Sequence, residues 1–204
     1  VTLKGPARRR GADLEDAILD AAWEVLTEQG HAGVTFEAVA ARAGTSRPVL
    51  YRRWAHRDDL VLAAITRFWR GRPLTLPDTG NLRDDAIAFL RNVDAGRSRM
   101  MTVMSVQFMD YFRNTGTNFN QLRDLVRPPG EPTGFEKIVA RAVERGELPD
   151  VPRSPRVVNL PFDLLRHDML MSMGQVPSTS IMEIVDEVWL PLINAGSNRL
   201  RDKA

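Results

Sequence analysis

Residues 35–54 read TFEAVAARAGTSRPVLYRRW, and this stretch decides the fold. Thr35 is a favourable N-cap, and Phe36, Val39, Ala40 and Ala43 then recur at helical spacing on one face. Gly44 stops that helix, because glycine accepts the left-handed conformation a helix exit needs. Thr45 or Ser46 restarts the chain. Pro48 falls in the first turn of the next helix, where its missing N–H costs little. Leu50 and Trp54, spaced i and i+4, turn inward, which leaves Arg47, Pro48, Tyr51 and Arg52 outward. Two short helices joined by a glycine turn form a helix-turn-helix, a unit that can lay its second helix in the major groove of DNA.

Working outward from that unit, residues 1–11 carry Lys4, Arg8, Arg9 and Arg10 among Gly5, Pro6 and Gly11, without apolar periodicity. They read as a basic arm, which can track phosphates or simply be solvated. Asp13 is placed to cap a first helix in which Leu14, Ala17, Ile18, Ala21, Ala22, Val25 and Leu26 share a face, and Gly30 ends it. Beyond the unit, a fourth helix begins near Asp58. Its Leu60, Val61, Ala63, Ala64, Ile65, Phe68 and Trp69 require packing on more than one side, as expected of an element joining a small bundle to a second helical body. Gly71, Pro73, Pro77 and Gly80 break the chain before a fifth helix starting near Asn81. The division expected is therefore a basic arm and DNA-binding unit in residues 1–57 and a second helical domain in residues 58–204.

A chain of 204 residues with 43% hydrophobic content can bury a substantial core. Its most apolar stretch, residues 157–173, is interrupted by Asp163, Arg166, His167 and Asp168, so no membrane span is read. The basic start lacks an apolar segment behind it, which points to the cytoplasm. Absence of cysteine excludes disulfides, thiolate zinc sites and cysteine nucleophiles, and nothing calls for a metal or cofactor. The net charge of +2 conceals an asymmetry: residues 1–72 hold 12 Lys/Arg against 9 Asp/Glu, and the remainder 16 against 17. Early acids at Asp13, Glu15, Asp16, Asp20, Glu24 and Glu28 leave Arg47, Arg52, Arg53 and Arg57 grouped around the second helix of the motif. That grouping suits a polyanion, although an arginine-rich helix can equally be a solvated face.

Residues 97–112 are rich in soft and aromatic side chains, which line either a plain core or an adaptable apolar pocket. Candidate pocket residues are Met104, Phe108, Phe112, Phe162, Arg166 and Met169, with Gln107 and His167 as polar contacts. Short helices follow around Phe119–Val126 and Phe135–Arg145. A helix near Arg156–Met173 is apolar almost all the way round. A last helix from Ser180, with Glu183 in a capping-box arrangement, carries Ile181, Ile184, Val185, Val188, Trp189 and Leu192, and Pro191 should kink or loosen it. Surplus apolar surface on these two helices predicts a two-fold homodimer, with Leu170, Met173, Ile184, Val188 and Trp189 as interface candidates. Sustained strand alternation is absent, so the fold class is all-α. An enzymatic alternative would use His167 with Asp163 and Asp168, but no third group joins them at recognisable spacing.

The segment VTFEAVAARAGTSRPVLYRRWAHRDDL resembles the DNA-binding domain of the TetR family of transcriptional regulators, through Thr35, the AARAG turn, the aromatic pair Tyr51 and Trp54, and the polar link into helix four. FEKIVARAVERGELP and FDLLRHDMLM look like the C-terminal domain of one branch of that family. The resemblance implies phosphate contacts at Thr35, Tyr51, His56 and Arg57, and base-edge contacts at Ser46, Arg47, Pro48, Val49 and Arg52; Thr45, at the turn, is a further candidate DNA-binding residue. Arginine suits bidentate contact with guanine, so Arg47 and Arg52 are the expected base readers. The chain departs from the family pattern in two places: Trp54 stands where a smaller aromatic is usual, and His56-Arg57 where Ser-Lys or Asn-Lys is commoner. The resemblance further implies a repressor that grips a palindromic DNA operator as a homodimer through its last two helices. A small, hydrophobic effector in the C-terminal domain would release it. The alternative is a DNA-binding dimer with no effector, in which the Met and Phe residues are plain core.

Overall fold

The computed structural model describes residues 11–126 and 130–201, and within them the side chains of 97–107, 126 and 196–201 are not described. The expected basic arm and the pocket candidates Met104 and Gln107 lie outside the described residues and side chains. The described chain is all-α, as expected. Its helices are α1 (Ala12–Gly33), α2 (Phe36–Ala43), α3 (Arg47–Tyr51), α4 (Arg57–Arg70), α5 (Leu82–Gln107), α6 (Met109–Thr115), α7 (Phe119–Val126), α8 (Gly134–Glu144), α9 (Pro155–Ser172), α10 (Ser178–Glu183) and α11 (Leu190–Arg201), with a π-helical turn over Ile184–Trp189 between the last two.

The chain divides into two compact units, Val1–Pro73 with Val106–Pro129, and Leu74–Ser105 with Gly130–Ala204. One division falls within the break from Gly71 to Gly80, and the others between residues 105 and 106 and between 129 and 130. α4 belongs to the first unit because it packs on α1 and on α7. Leu60, Val61, Ala64 and Ile65 are buried there, Phe68 stacks on Trp23 with ring centroids 3.8 Å apart, and Arg67 bonds both Asp16 and Asp20. In α1, Asp13 lies inside the first turn and Gly11 is the cap residue. The left-handed φ of 74° at Gly30 breaks the helix as expected, after which His31–Gly33 add one further turn.

The second unit has its core among α5, α8, α9 and the final helix. Phe135 packs edge-on against Phe89 at 5.5 Å and Trp189 at 5.2 Å. α8 carries a reciprocal cap that the sequence reading passes over: Thr133 Oγ1 accepts from Glu136 N at 3.1 Å, and Glu136 Oε2 accepts from Thr133 N at 2.6 Å. The box expected at Ser180 and Glu183 does not form, because the final helix starts at Ser178, with Pro177 as its cap residue and no side-chain cap.

Pro161 and Pro191 each lie within a continuous run of helix, and each is accommodated. Pro161 in α9 has no N–H to give the carbonyl of Val157, four residues earlier. The indole Nε1–H of Trp189 bonds that carbonyl at 2.9 Å instead. Pro191 neither ends nor breaks the last helix, because the turn before it is widened. Leu190 N–H reaches back five residues to Val185, which relieves the crowding that a proline ring imposes on the preceding turn.

At the start of α5 the carboxylate of Asp85, fully buried, accepts from Thr79 N at 2.6 Å, Thr79 Oγ1 at 2.9 Å and Arg145 Nη2 at 3.0 Å. Arg145 also reaches Asp78 and Glu147, and Glu147 caps the helix by accepting from Leu82 N at 2.6 Å. Burial raises the proton affinity of Asp85, but the hydrogen bonds from Thr79 and Arg145 outweigh it and hold the carboxyl below the usual aspartate range.

Candidate nucleic-acid interface

The helix-turn-helix is built as its residues dictate. Thr35 Oγ1 accepts from Ala38 N at 3.1 Å and starts α2. Gly44 adopts φ 67° and ψ 38°, and Thr45 N–H returns to the Ala40 carbonyl at 2.9 Å, closing the turn. Ser46 precedes α3, whose first turn holds Pro48. α3 ends at Tyr51, but Trp54 N–H still bonds the Leu50 carbonyl at 3.0 Å, so Leu50 and Trp54 share the buried side. Phe36 of α2 meets the edge of Tyr51 at 4.4 Å, which braces that ring while it stays 57% exposed.

The opposite side presents Ser46, Arg47, Pro48, Tyr51 and Arg52 exposed, with Thr45 and Val49 half-buried. Charge is sorted by pairing. Five acids of α1 are engaged by arginines: Arg53 pairs with Glu15, Arg67 with Asp16 and Asp20, and Arg42 with Glu24 and Glu28. Arg47 pairs with Glu37 of α2. That hydrogen bond holds the Glu37 carboxyl below its ordinary range, so Glu37 stays ionised beside the arginine. At the start of α4, His56 is exposed and its backbone N–H bonds Asp59 Oδ2 at 3.0 Å.

Arg57 is only half exposed, and its anchorage is not visible in the sequence. His31, 2% exposed, places Nε2 2.8 Å from Asp58 Oδ1 and Nδ1 3.4 Å from Arg57 Nη2. Tyr111 of α6 stands edge-on to the imidazole at 5.6 Å. His31, Asp58 and Glu37 are the site residues that sequence reasoning misses. The available signal was slight, a single histidine following a helix-ending glycine, and no periodicity links residues 31, 58 and 111.

The other candidates divide between the units. In the first, Phe108 is buried and joins Tyr111, Phe112 and Phe119 in a row of ring contacts. In the second, Met169 is core, Phe162 is half-buried under the Arg166 guanidinium, and Asp163 bonds Arg166 at 3.0 Å. His167 is exposed, and Asp163 bonds Arg166 although the i, i+4 spacing offered it His167. Of the interface candidates, Leu170, Met173 and Val188 are exposed, but Ile184 is 6% and Trp189 0% exposed, both committed to the core of their own chain. Met171 and Leu192 are exposed where the sequence reading omits them as candidates.

A short helix with arginines and a tyrosine on its open side, mounted on a second helix by a glycine turn, defines a helix-turn-helix DNA-binding protein. Residues 18–64 match bacterial regulatory proteins of the tetR family, and residues 76–188 match the tetracyclin repressor-like C-terminal domain. The chain belongs to the TetR family and is a DNA-binding transcriptional regulator. It is 28% identical over 189 residues to the DNA-binding transcriptional repressor TetR of Mycobacteroides abscessus, covering 92% of this chain and 98% of that protein. It is also 28% identical over 176 residues to the HTH-type transcriptional regulator AqdR of Rhodococcus erythropolis, covering 86% and 83%. The structure of the fatty acid degradation regulator FadR from Bacillus halodurans shares the fold, with a TM-score of 0.63 at 14% identity over 90% of this chain and 97% of that one. No described helix is long and apolar enough to cross a membrane.

Proposed function

We propose that this regulator is a repressor that binds a palindromic operator as a homodimer, reads bases with Arg47 and Arg52, and leaves DNA when a small apolar effector binds. The observation that carries the reading is the two-sidedness of α3: Leu50 and Trp54 anchor it, and Arg47, Tyr51 and Arg52 face solvent. One α3 gives few base contacts, so a second copy is needed. Exposed Leu170, Met171 and Met173 on α9, and Val188 and Leu192 on the final helix, supply apolar surface suited to it. Two-fold symmetry then requires half-sites centred about 34–36 Å apart, or a multiple of that. An apolar effector suits the aromatic row from Phe108 to Phe119 in the first unit, or the apolar side chains of α9, Phe162 and Met169 among them, in the second. It must favour the released state by about 1–3 kcal/mol, a typical coupling free energy.

The test is enrichment of duplexes from a random pool by the purified protein, followed by titration of variants on the enriched sequence. Arg47→Ala should cost about 1–3 kcal/mol per lost guanine contact and relax preference at one position in each half-site. A non-symmetric consensus, or an Arg47→Ala protein with unchanged preference, would refute this reading.

A further inference from the structure

We propose that His31 is a positioning residue for DNA: from inside the first unit it sets the guanidinium of Arg57, the group assigned above to a backbone phosphate. The inference rests on that assignment and adds the residue that makes it work. A guanidinium offers only donors, and an ionised carboxylate only acceptors. His31 lies between one of each, with Asp58 Oδ1 2.8 Å from Nε2 and Arg57 Nη2 3.4 Å from Nδ1. A single form of the imidazole satisfies both contacts. It is the neutral ring with its proton on Nε2, donated to Asp58, and its lone pair on Nδ1 facing Arg57.

The ring is held in that sense. Exchanging its two nitrogens would put a donor against the arginine or an acceptor against the carboxylate. Burial and the edge of Tyr111 confine it, and Asp58 Oδ1 closes the triangle at 3.7 Å from Arg57 Nε. These contacts engage Nη2 and Nε of Arg57, and Nη1 takes part in none of them. An arginine already immobilised at the start of α4 loses less side-chain freedom on meeting a phosphate than one free to wander. His31 therefore acts on DNA through Arg57 without touching it.

The experiment uses the full chain, with binding to a random-sequence duplex measured against salt, since phosphate contacts do not depend on sequence. His31→Asn keeps an acceptor near the place of Nδ1, and His31→Leu offers neither a donor to Asp58 nor an acceptor to Arg57. Each is compared with and without Arg57→Ala. With His31 present, Arg57→Ala should weaken binding on the order of tenfold, as for a charged hydrogen bond, and lower the salt slope by about one. In the Leu background the same change should cost about twofold or less, and in the Asn background most of the tenfold loss should return. Equal losses in all three backgrounds overturn the positioning role while leaving Arg57 a DNA contact. If Arg57→Ala has no effect even with His31 present, the phosphate assignment itself fails and the proposal with it. Should the Leu variant not fold, the imidazole nitrogen shifts of the unaltered protein at neutral pH decide. A protonated Nε2 with a bare Nδ1 supports the role, and a protonated Nδ1 overturns it.

Discussion

Replacing Trp189 with Phe tests whether the indole N–H compensates for a proline one helix away. Trp189 is fully buried, and its Nε1 donates at 2.9 Å to the Val157 carbonyl, which Pro161 cannot serve. Leaving a buried acceptor unsatisfied costs about 1–3 kcal/mol, and the smaller ring adds a cavity contribution of about 1 kcal/mol. Trp189→Phe alone should therefore cost about 2–4 kcal/mol. Pro161→Ala supplies the missing backbone donor to the same carbonyl. By itself it should change little, because a gained hydrogen bond is offset by about 0.4–1 kcal/mol of added unfolded-state freedom. When Pro161→Ala is already present, the cost of Trp189→Phe should fall by about 1–3 kcal/mol, since the carbonyl is no longer orphaned. The assay is urea unfolding followed by far-ultraviolet circular dichroism, at one fixed protein concentration because self-association adds to apparent stability. If the cost of Trp189→Phe agrees in the two backgrounds within about 0.5 kcal/mol, the proposed exchange of donors is wrong.

Asp85→Asn should destabilise the second unit by about 1.5–3 kcal/mol near neutral pH, the worth of hydrogen bonds to a charged group. Because the folded carboxyl of Asp85 is depressed, its contribution is complete above the ordinary aspartate range and is lost as pH falls through the folded value. The gap between wild type and Asp85→Asn in chemical denaturation should accordingly narrow in acid, and a constant gap would contradict the charge network. Gly134→Ala would place a Cβ 2.2 Å from the Phe89 ring, an overpacking expected to cost about 1–3 kcal/mol. Thermal unfolding should show that loss, and Phe89→Leu in the same chain should recover part of it. Leu192→Glu puts a charge on exposed apolar surface of the final helix. Light scattering should report a monomer that keeps its helical spectrum and loses operator affinity, whereas an unchanged dimer would move the interface elsewhere.

Local rules made the helix-turn-helix readable in advance. Thr35, Gly44 and Pro48 each act through backbone chemistry confined to a few neighbouring residues, and the i, i+4 spacing of Leu50 and Trp54 assigns the buried side of α3 without reference to anything distant. Helical period likewise marks which faces of α1, α8 and the final helix are apolar. Period does not say which apolar face a partner chain takes and which the chain keeps for itself. Ile184 and Trp189 lie on the same apolar stripe as Val188, yet the first two fill their own core while Val188 is open.

Only the tertiary structure decides pairings between groups far apart in sequence, because nothing local distinguishes a side chain that will find a partner from one that will not. Glu37 beside Arg47, His31 between Asp58 and Arg57, Arg145 against Asp85, and the indole of Trp189 on the carbonyl freed by Pro161 are all of this kind. The sequence by itself determined an all-α regulator with a recognition helix and named the side chains that helix presents. The packing determined how firmly those side chains are held, because a buried donor or acceptor is satisfied only by whatever group the fold brings to it.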